Sequence, residues 1–167
     1  MLQKKPRDFA LFVTGINTAL RASDMLAMTA GQVRYLGAGE SFELRERKTK
    51  KLRRITLNRA ALDALNNLIR VKKLNDSDLL FQGRIPGQAL STSVCSQLVK
   101  LWCRKIGLKG NYASHSLRKT FGFHQRKTFG VSIPLLMTIF NHSNQKQTLA
   151  YLGIQAEEIT HVFNNEI

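Results

Sequence analysis

Between Glu40 and Asn58 the apolar residues change their spacing. Elsewhere they recur mostly every three or four positions, the repeat of a helix face. Here Phe42 and Leu44 alternate with polar residues on one arm, and Ile55 and Leu57 on another. Alternation at period two puts each pair on one side of a strand, so the two arms predict an antiparallel β-hairpin turning near Lys48–Lys51. From Arg45 to Arg54 this hairpin carries seven cations (Arg45, Arg47, Lys48, Lys50, Lys51, Arg53 and Arg54) and one acid, Glu46. Charge on a strand edge keeps it from pairing with other sheets. It also suits a polyanion, and the rest of the chain favours that second reading.

Lys plus Arg number 26 against 11 Asp plus Glu, a net +15 over 167 residues. An excess of that size points to nucleic acid as the partner. The charge is uneven: every Lys and Arg lies at or before Lys146, and beyond it only Glu157, Glu158 and Glu166 are charged. A hydrophobic content of 43% is globular, and the length suffices for one domain with a core. No apolar run reaches the roughly 18 residues of a membrane span. The start, MLQKKPRDF, lacks the apolar core of a secretion signal. Cys95 and Cys103 lie eight apart on one predicted helix, about 12 Å and too far for a disulfide. No Cys/His spacing marks a metal site. The pair reads as buried thiols in a reducing compartment.

Helical spacing covers most of the remainder. Residues Arg7–Asn17 repeat at Phe9, Phe12, Val13 and Ile16, with Gly15 loosening the end. A second helix restarts in TALRASDMLAMT, capped by Thr18 or Ser23, and Gln32–Leu36 reads as a short strand. Asn58 caps a helix with Ala61, Leu62, Leu65, Leu68 and Ile69 inward. After a loop over Asp76–Gly87, Ser91 or Thr92 caps a helix of roughly Ser93–Ile106, with Val94, Cys95, Leu98, Leu101 and Trp102 inward; Gly107 and Gly110 end it. Ser114 caps a helix opening at His115. Ser132 and Pro134 open another, with Ile133, Leu136, Met137 and Phe140 as core. Gln145–Leu152 is a short helix ended by Gly153.

The segment Ser114–Tyr151 carries the chemistry. It holds a His-x-x-Arg pair (His115, Arg118), a second histidine (His142) and, nine residues on, Tyr151. These side chains suit phosphoryl transfer by a tyrosine nucleophile. Arg118 offers a bidentate fork to non-bridging phosphate oxygens. Tyr151 offers a hydroxyl for a covalent intermediate, and the imidazoles can take or donate a proton. Arg21 stands where a helix begins, a position that favours a shared anion.

This set resembles the catalytic domain of the tyrosine site-specific recombinases, the phage integrase family. The family's T-G-L-R-x-S-E/D-L-L is TALRASDML here, placing Arg21 and the supporting Asp24, with Ala19 for Gly. Its hairpin lysine pattern matches KTKKLRRITL and selects Lys48, with an offset of two also open. Its L-G-H-S is FNHS, with Asn141 for Gly; Asn tolerates the left-handed turn. NHSNQKQTLAY carries His142 and Tyr151 at the family interval. RKTFG recurs at Arg126, but without the upstream histidine.

The resemblance implies an α+β fold, mostly helical with a small antiparallel hairpin, in a single catalytic domain over residues 1–167. The family's N-terminal DNA-clamping domain is expected to be absent. It implies a recombinase or integrase that breaks and rejoins double-stranded DNA through a 3′-phosphotyrosine, with no cofactor and no metal. Arg21, Arg118 and His142 would hold the phosphate, His115 assist proton removal, and Lys48 protonate the leaving oxygen. Arg45, Arg47, Lys50, Lys51, Arg53, Arg54 and Lys119 would contact DNA. Type IB topoisomerase-like relaxation and a non-enzymatic or degenerate DNA-binding module stay open. The tail, about 155–167, places Ile159, Val162 and Phe163 on one helical face, for self-association on DNA or for its own core. The expected setting is the bacterial cytoplasm or nucleoid.

Overall fold

The computed structural model describes residues 2–153. After a single 3-10 turn (Leu2–Lys4) come α1 (Pro6–Asn17), α2 (Ala22–Met25), β1 (Ser41–Arg45), β2 (Leu52–Thr56), α3 (Arg59–Lys72), α4 (Thr92–Lys105), α5 (Ser114–Lys127), α6 (Ile133–Phe140) and α7 (Gln145–Leu152). The expected mostly helical fold with a two-stranded antiparallel sheet is what forms. The predicted tail helix, with Ile159, Val162 and Phe163, lies outside the described residues. The chain divides into two compact units, parted between Arg118 and Lys119.

In the first unit α1 packs on α3. Leu11, Leu57, Leu65 and Leu68 are almost wholly buried, and each such side chain contributes about 1.5–3 kcal/mol of transfer free energy. The hairpin pairs Ser41 with Thr56, Phe42 with Ile55 and Leu44 with Arg53. Its alternation holds: Phe42, Leu44, Ile55 and Leu57 are buried. Asn58 Oδ1 accepts from the Ala61 amide at 3.0 Å, as predicted; of the two candidates for α4, Ser91 is the cap, its Oγ accepting from Val94 at 3.2 Å, and Thr92 is the first helical residue.

Several expectations fail, for local reasons. Gln32–Leu36 is a turn, because Val33 and Arg34 donate their amides back to the Ala30 carbonyl. Neither Thr18 nor Ser23 caps α2. Thr18 Oγ1 donates to Thr14 O at 2.9 Å, Ser23 lies inside the helix, and the cap position is Arg21, with no side-chain cap bond. Ser114 is already helical, and its hydroxyl pairs with Ser96 Oγ at 3.0 Å. On α4 the buried stripe is Cys95, Val99 and Trp102; Val94 and Leu101 face outward. Trp102 decides this rotation by an edge contact to Phe12, 6.1 Å between centroids.

Gly15 does not loosen α1. It is buried in the last turn of the helix, which runs on to Asn17, and a Cβ there would lie 2.6 Å from Leu117 Cδ1 and 2.9 Å from Leu117 Cβ. The residue is small so that the start of α5 can approach α1.

In the second unit Leu136, Phe140, Thr148 and Leu152 are buried. Ser132 caps α6 as expected. Asn144 caps α7, its Oδ1 accepting from Gln147 at 2.9 Å. Asn141 adopts φ 54°, the expected left-handed turn, and Gly153 ends α7 at φ 71°.

Gly15→Val should lower unfolding stability by about 2–3 kcal/mol, because the added methyls meet the base of Leu117. Denaturant titration measures it. An unchanged midpoint would mean that α5 does not pack against α1 at this point.

Candidate active site

The first unit brings together Arg21, Asp24 and the hairpin. Arg21, at the cap of α2, places Nη1 2.7 Å from Glu46 Oε2. Glu46 is 1% exposed. Its Oε2 also accepts from Thr49 Oγ1 at 2.6 Å, and its Oε1 from Arg53 Nη1 at 3.3 Å. Burial by itself would raise the Glu46 pKa. The Thr49 hydroxyl and the Arg21 and Arg53 guanidiniums outweigh it and hold the carboxyl at about 2, against an ordinary 4.5. Arg53 also donates to Ala19 O at 3.3 Å. Its side chain is half-buried on the same face as Leu44, its cross-strand partner.

Asp24 is 1% exposed, and its Oδ1 accepts the Arg47 amide at 2.9 Å. The hairpin loop closes through Lys50 N to Glu46 O and Glu46 N to Lys51 O, both 2.9 Å. Lys50 sits at φ 58°, an uncommon conformation for a side chain with a Cβ. Its carbonyl is held by Arg45 Nη1 at 2.8 Å. Lys48 is exposed at the tip, as are Arg45, Arg47, Lys50, Lys51 and Arg54.

At the start of α5, His115 is exposed and Arg118, one turn on, is 8% exposed. Leu117 between them is in the core, so the first turn that carries both is anchored.

The second unit gathers His142 and Tyr151. The left-handed turn at Asn141 lets the His142 amide donate to Met137 O at 3.0 Å. His142 Nδ1 and the fully buried Thr148 Oγ1 are 3.0 Å apart, a hydrogen bond that fixes the ring. The imidazole stacks on Phe140 (centroids 5.3 Å, planes at 25°), and Tyr151 meets His142 edge-on at 5.4 Å. Phe140 also touches Tyr151 at 5.2 Å. Lys119, expected as a DNA contact, places Nζ 5.6 Å from the Tyr151 ring centroid, a cation–π distance. A Cβ on Gly122 would lie 2.6 Å from Phe140 Cζ. The two RKTFG copies therefore differ in use: Gly122 admits Phe140, whereas Gly130 sits in a turn at φ 67°.

Chemically the two units offer fixed guanidiniums, an exposed ammonium on a tied loop, and a phenol beside an oriented imidazole. The model of the phage integrase family matches residues 3–158.

The chain belongs to the phage integrase family.

Its fold is that of a tyrosine recombinase catalytic domain. It is 33% identical over 161 residues to the probable integrase/recombinase YoeC of Bacillus subtilis, covering 94% of this chain and 83% of that one. Against the tyrosine recombinase XerC of Caldanaerobacter subterraneus it is 25% identical, covering 96% and 45%. The crystal structure of the XerA recombinase superposes with a TM-score of 0.76 at 16% identity, over 99% of this chain and 59% of that one. XerH bound to its difH substrate superposes at 0.70 and 18%, over 99% and 49%. The chain thus spans most of YoeC but only about half of these longer relatives.

Sequence reasoning missed Glu46, Thr148 and Gly122. Glu46 had one signal, as the single acid among seven cations; Thr148 and Gly122 had none that a lone sequence displays. Among the described residues no group of three or more His, Cys, Asp or Glu is placed to hold a metal ion, and no helix is long and apolar enough to cross a membrane.

The lowered Glu46 pKa sets a pH dependence. A carboxyl whose pKa falls on folding contributes stability in full above its unfolded pKa, near 4.5. That contribution is lost as pH falls toward 2. Glu46→Gln should be less stable than the parent by roughly 3 kcal/mol at pH 6, with the gap narrowing below pH 4.5. Denaturant midpoints of both proteins across pH 6 to 3 test this; a constant gap would contradict it.

Proposed function

We propose that this protein is a site-specific DNA recombinase or integrase acting through a covalent 3′-phosphotyrosine. The observation that carries the reading is the setting of Tyr151, whose ring meets an imidazole itself locked by Thr148 and stacked on Phe140. A phenol with this neighbour, in a chain of this family, is the natural nucleophile.

Tyr151 Oη attacks the scissile phosphorus. The bond from phosphorus to the 5′ oxygen breaks, the 3′ phosphate is transferred to tyrosine, and a free 5′-hydroxyl leaves. His115 assists removal of the phenol proton. Lys48 donates a proton to the departing oxygen, for which an exposed ammonium on an anchored loop is suited. Arg21, Arg118 and His142 stabilise the negative charge on the non-bridging oxygens. In the second step another 5′-hydroxyl attacks the phosphotyrosine and restores the tyrosine. Bond energy is conserved, so the reaction consumes no nucleotide, and the cations serve where other phosphoryl-transfer enzymes use metal ions.

Arg45, Arg47, Lys50, Lys51 and Arg54 face solvent and supply backbone contacts to double-stranded DNA. Arg53 supports them from within. Lys119 serves the Tyr151 ring, the phosphate, or both in turn. Protomers associate on DNA, with the tail, about 155–167, as the contact element. The working compartment is the bacterial cytoplasm or nucleoid.

Tyr151→Phe keeps the ring and its packing and removes the nucleophile. It should bind DNA as the parent does yet form no covalent adduct on nicked candidate sites. An adduct that persists, or that maps to Tyr112, would refute the assignment. Lys48→Ala should cut adduct formation on ordinary DNA by about 100-fold or more. It should recover on a 5′-bridging phosphorothioate, whose thiolate leaves without a proton. Recovery in Lys50→Ala instead would move the general acid by two residues.

A further inference from the structure

We infer that Glu46 is a positioning residue that ties Arg21 to the loop carrying Lys48, so that the phosphate-binding guanidinium and the proton donor are set as one piece. The inference rests on the recombinase reading above and assigns a role to a residue outside that machinery.

The geometry is a clasp made in both directions. From α2, Asp24 reaches to the loop and accepts the Arg47 amide at 2.9 Å. From the loop, Glu46 reaches back to α2 and meets Arg21 at 2.7 Å. Lys48 stands between Arg47, held by the first carboxylate, and Thr49, whose hydroxyl is bound to the second at 2.6 Å. Both chain neighbours of Lys48 are thereby fixed to the segment that bears Arg21. The Lys48 side chain itself stays exposed and able to move.

A carboxylate that only relieved crowding among cations would sit at the surface, where screening does the same work. Glu46 is instead 1% exposed, with partners on both oxygens. Burying a charge is costly unless it is paired, and removing its partner leaves that cost uncompensated. The arrangement therefore resists separation of Arg21 from the loop. The triad of Arg21, Glu46 and Arg53 also keeps a net positive charge, so pairing does not cancel its pull on a phosphate. Glu46 engages Arg21 through Nη1 alone, which leaves the other guanidinium nitrogens as donors for a ligand.

The test compares Glu46→Gln with the parent, and with Arg21→Ala and Lys48→Ala. Glu46→Gln keeps the side-chain shape and one acceptor but loses the charge. DNA affinity should stay within about 3-fold, because the exposed cations are untouched. The rate of adduct formation should fall about 100-fold on ordinary DNA and only about 10-fold on the 5′-bridging phosphorothioate, which spares the Lys48 share and not the Arg21 share. Full recovery, or none, would show that Glu46 serves one of the two residues and overturn the coupling. So would a loss of rate matched by an equal loss of DNA binding, the mark of a merely structural role.

A second readout needs no activity. Amide hydrogen exchange at Arg47 and Lys50 should quicken by about 10-fold or more in both Glu46→Gln and Arg21→Ala. Exchange unchanged in either variant overturns the inference, even if the parent cleaves DNA. A parent that forms no adduct refutes the recombinase chemistry instead, and the exchange data then decide the coupling alone.

Discussion

One buried carboxylate organises the most highly charged part of this molecule. Glu46 lies at the end of β1 with Arg21 on one oxygen, Arg53 on the other and Thr49 closing the loop beside it. Without such an anion, two guanidiniums from different segments would repel across a low-dielectric gap. With it, the basic hairpin is bound to the start of α2, and a short helix with no side-chain cap gains a fixed neighbour. The inward turn of Arg53 follows from the same demand. Arg54, one residue on, points the other way because strand neighbours alternate, and it remains exposed. A run of cations that is uniform in sequence is thus sorted by the pleat into an inner support and an outer surface.

The second unit relies on packing more than on charge. Phe140 is fully buried and serves at once as core residue, as platform for His142 and as edge partner of Tyr151. It reaches that place because Gly122 has no side chain to oppose it. Thr148, one turn before Leu152, completes the arrangement by bonding the imidazole. A small residue, a ring and a hydroxyl, none of them reactive here, determine how two reactive side chains meet.

The helix α4 shows how tertiary contacts override a pattern. Its apolar residues are numerous enough to outline two overlapping faces, one centred on Val94, Leu98 and Leu101, the other on Cys95, Leu98, Val99 and Trp102. Periodicity weighs them alike. The second wins because the indole of Trp102 finds Phe12, and the largest side chain dominates the burial free energy.

What the sequence determined by itself was whatever depends on near neighbours: the hairpin and its inward faces from period-two alternation, caps such as Asn58 and Ser132, the left-handed turn at Asn141, and the order and spacing of Arg21, Lys48, His115, Arg118, His142 and Tyr151. These are local because a turn, a cap or a strand face involves residues only a few positions apart. What only the tertiary structure decided was partnership across long separations. Glu46 read as one acid in a basic run until Arg21, 25 residues earlier, was placed against it. Gly15 read as a helix loosener until Leu117 arrived beside it, and Gly122 as half of a repeat until Phe140 did. Such roles are invisible in one sequence because a side chain's charge and size are written in its own identity, whereas the group that balances the charge or fills the space comes from elsewhere in the fold.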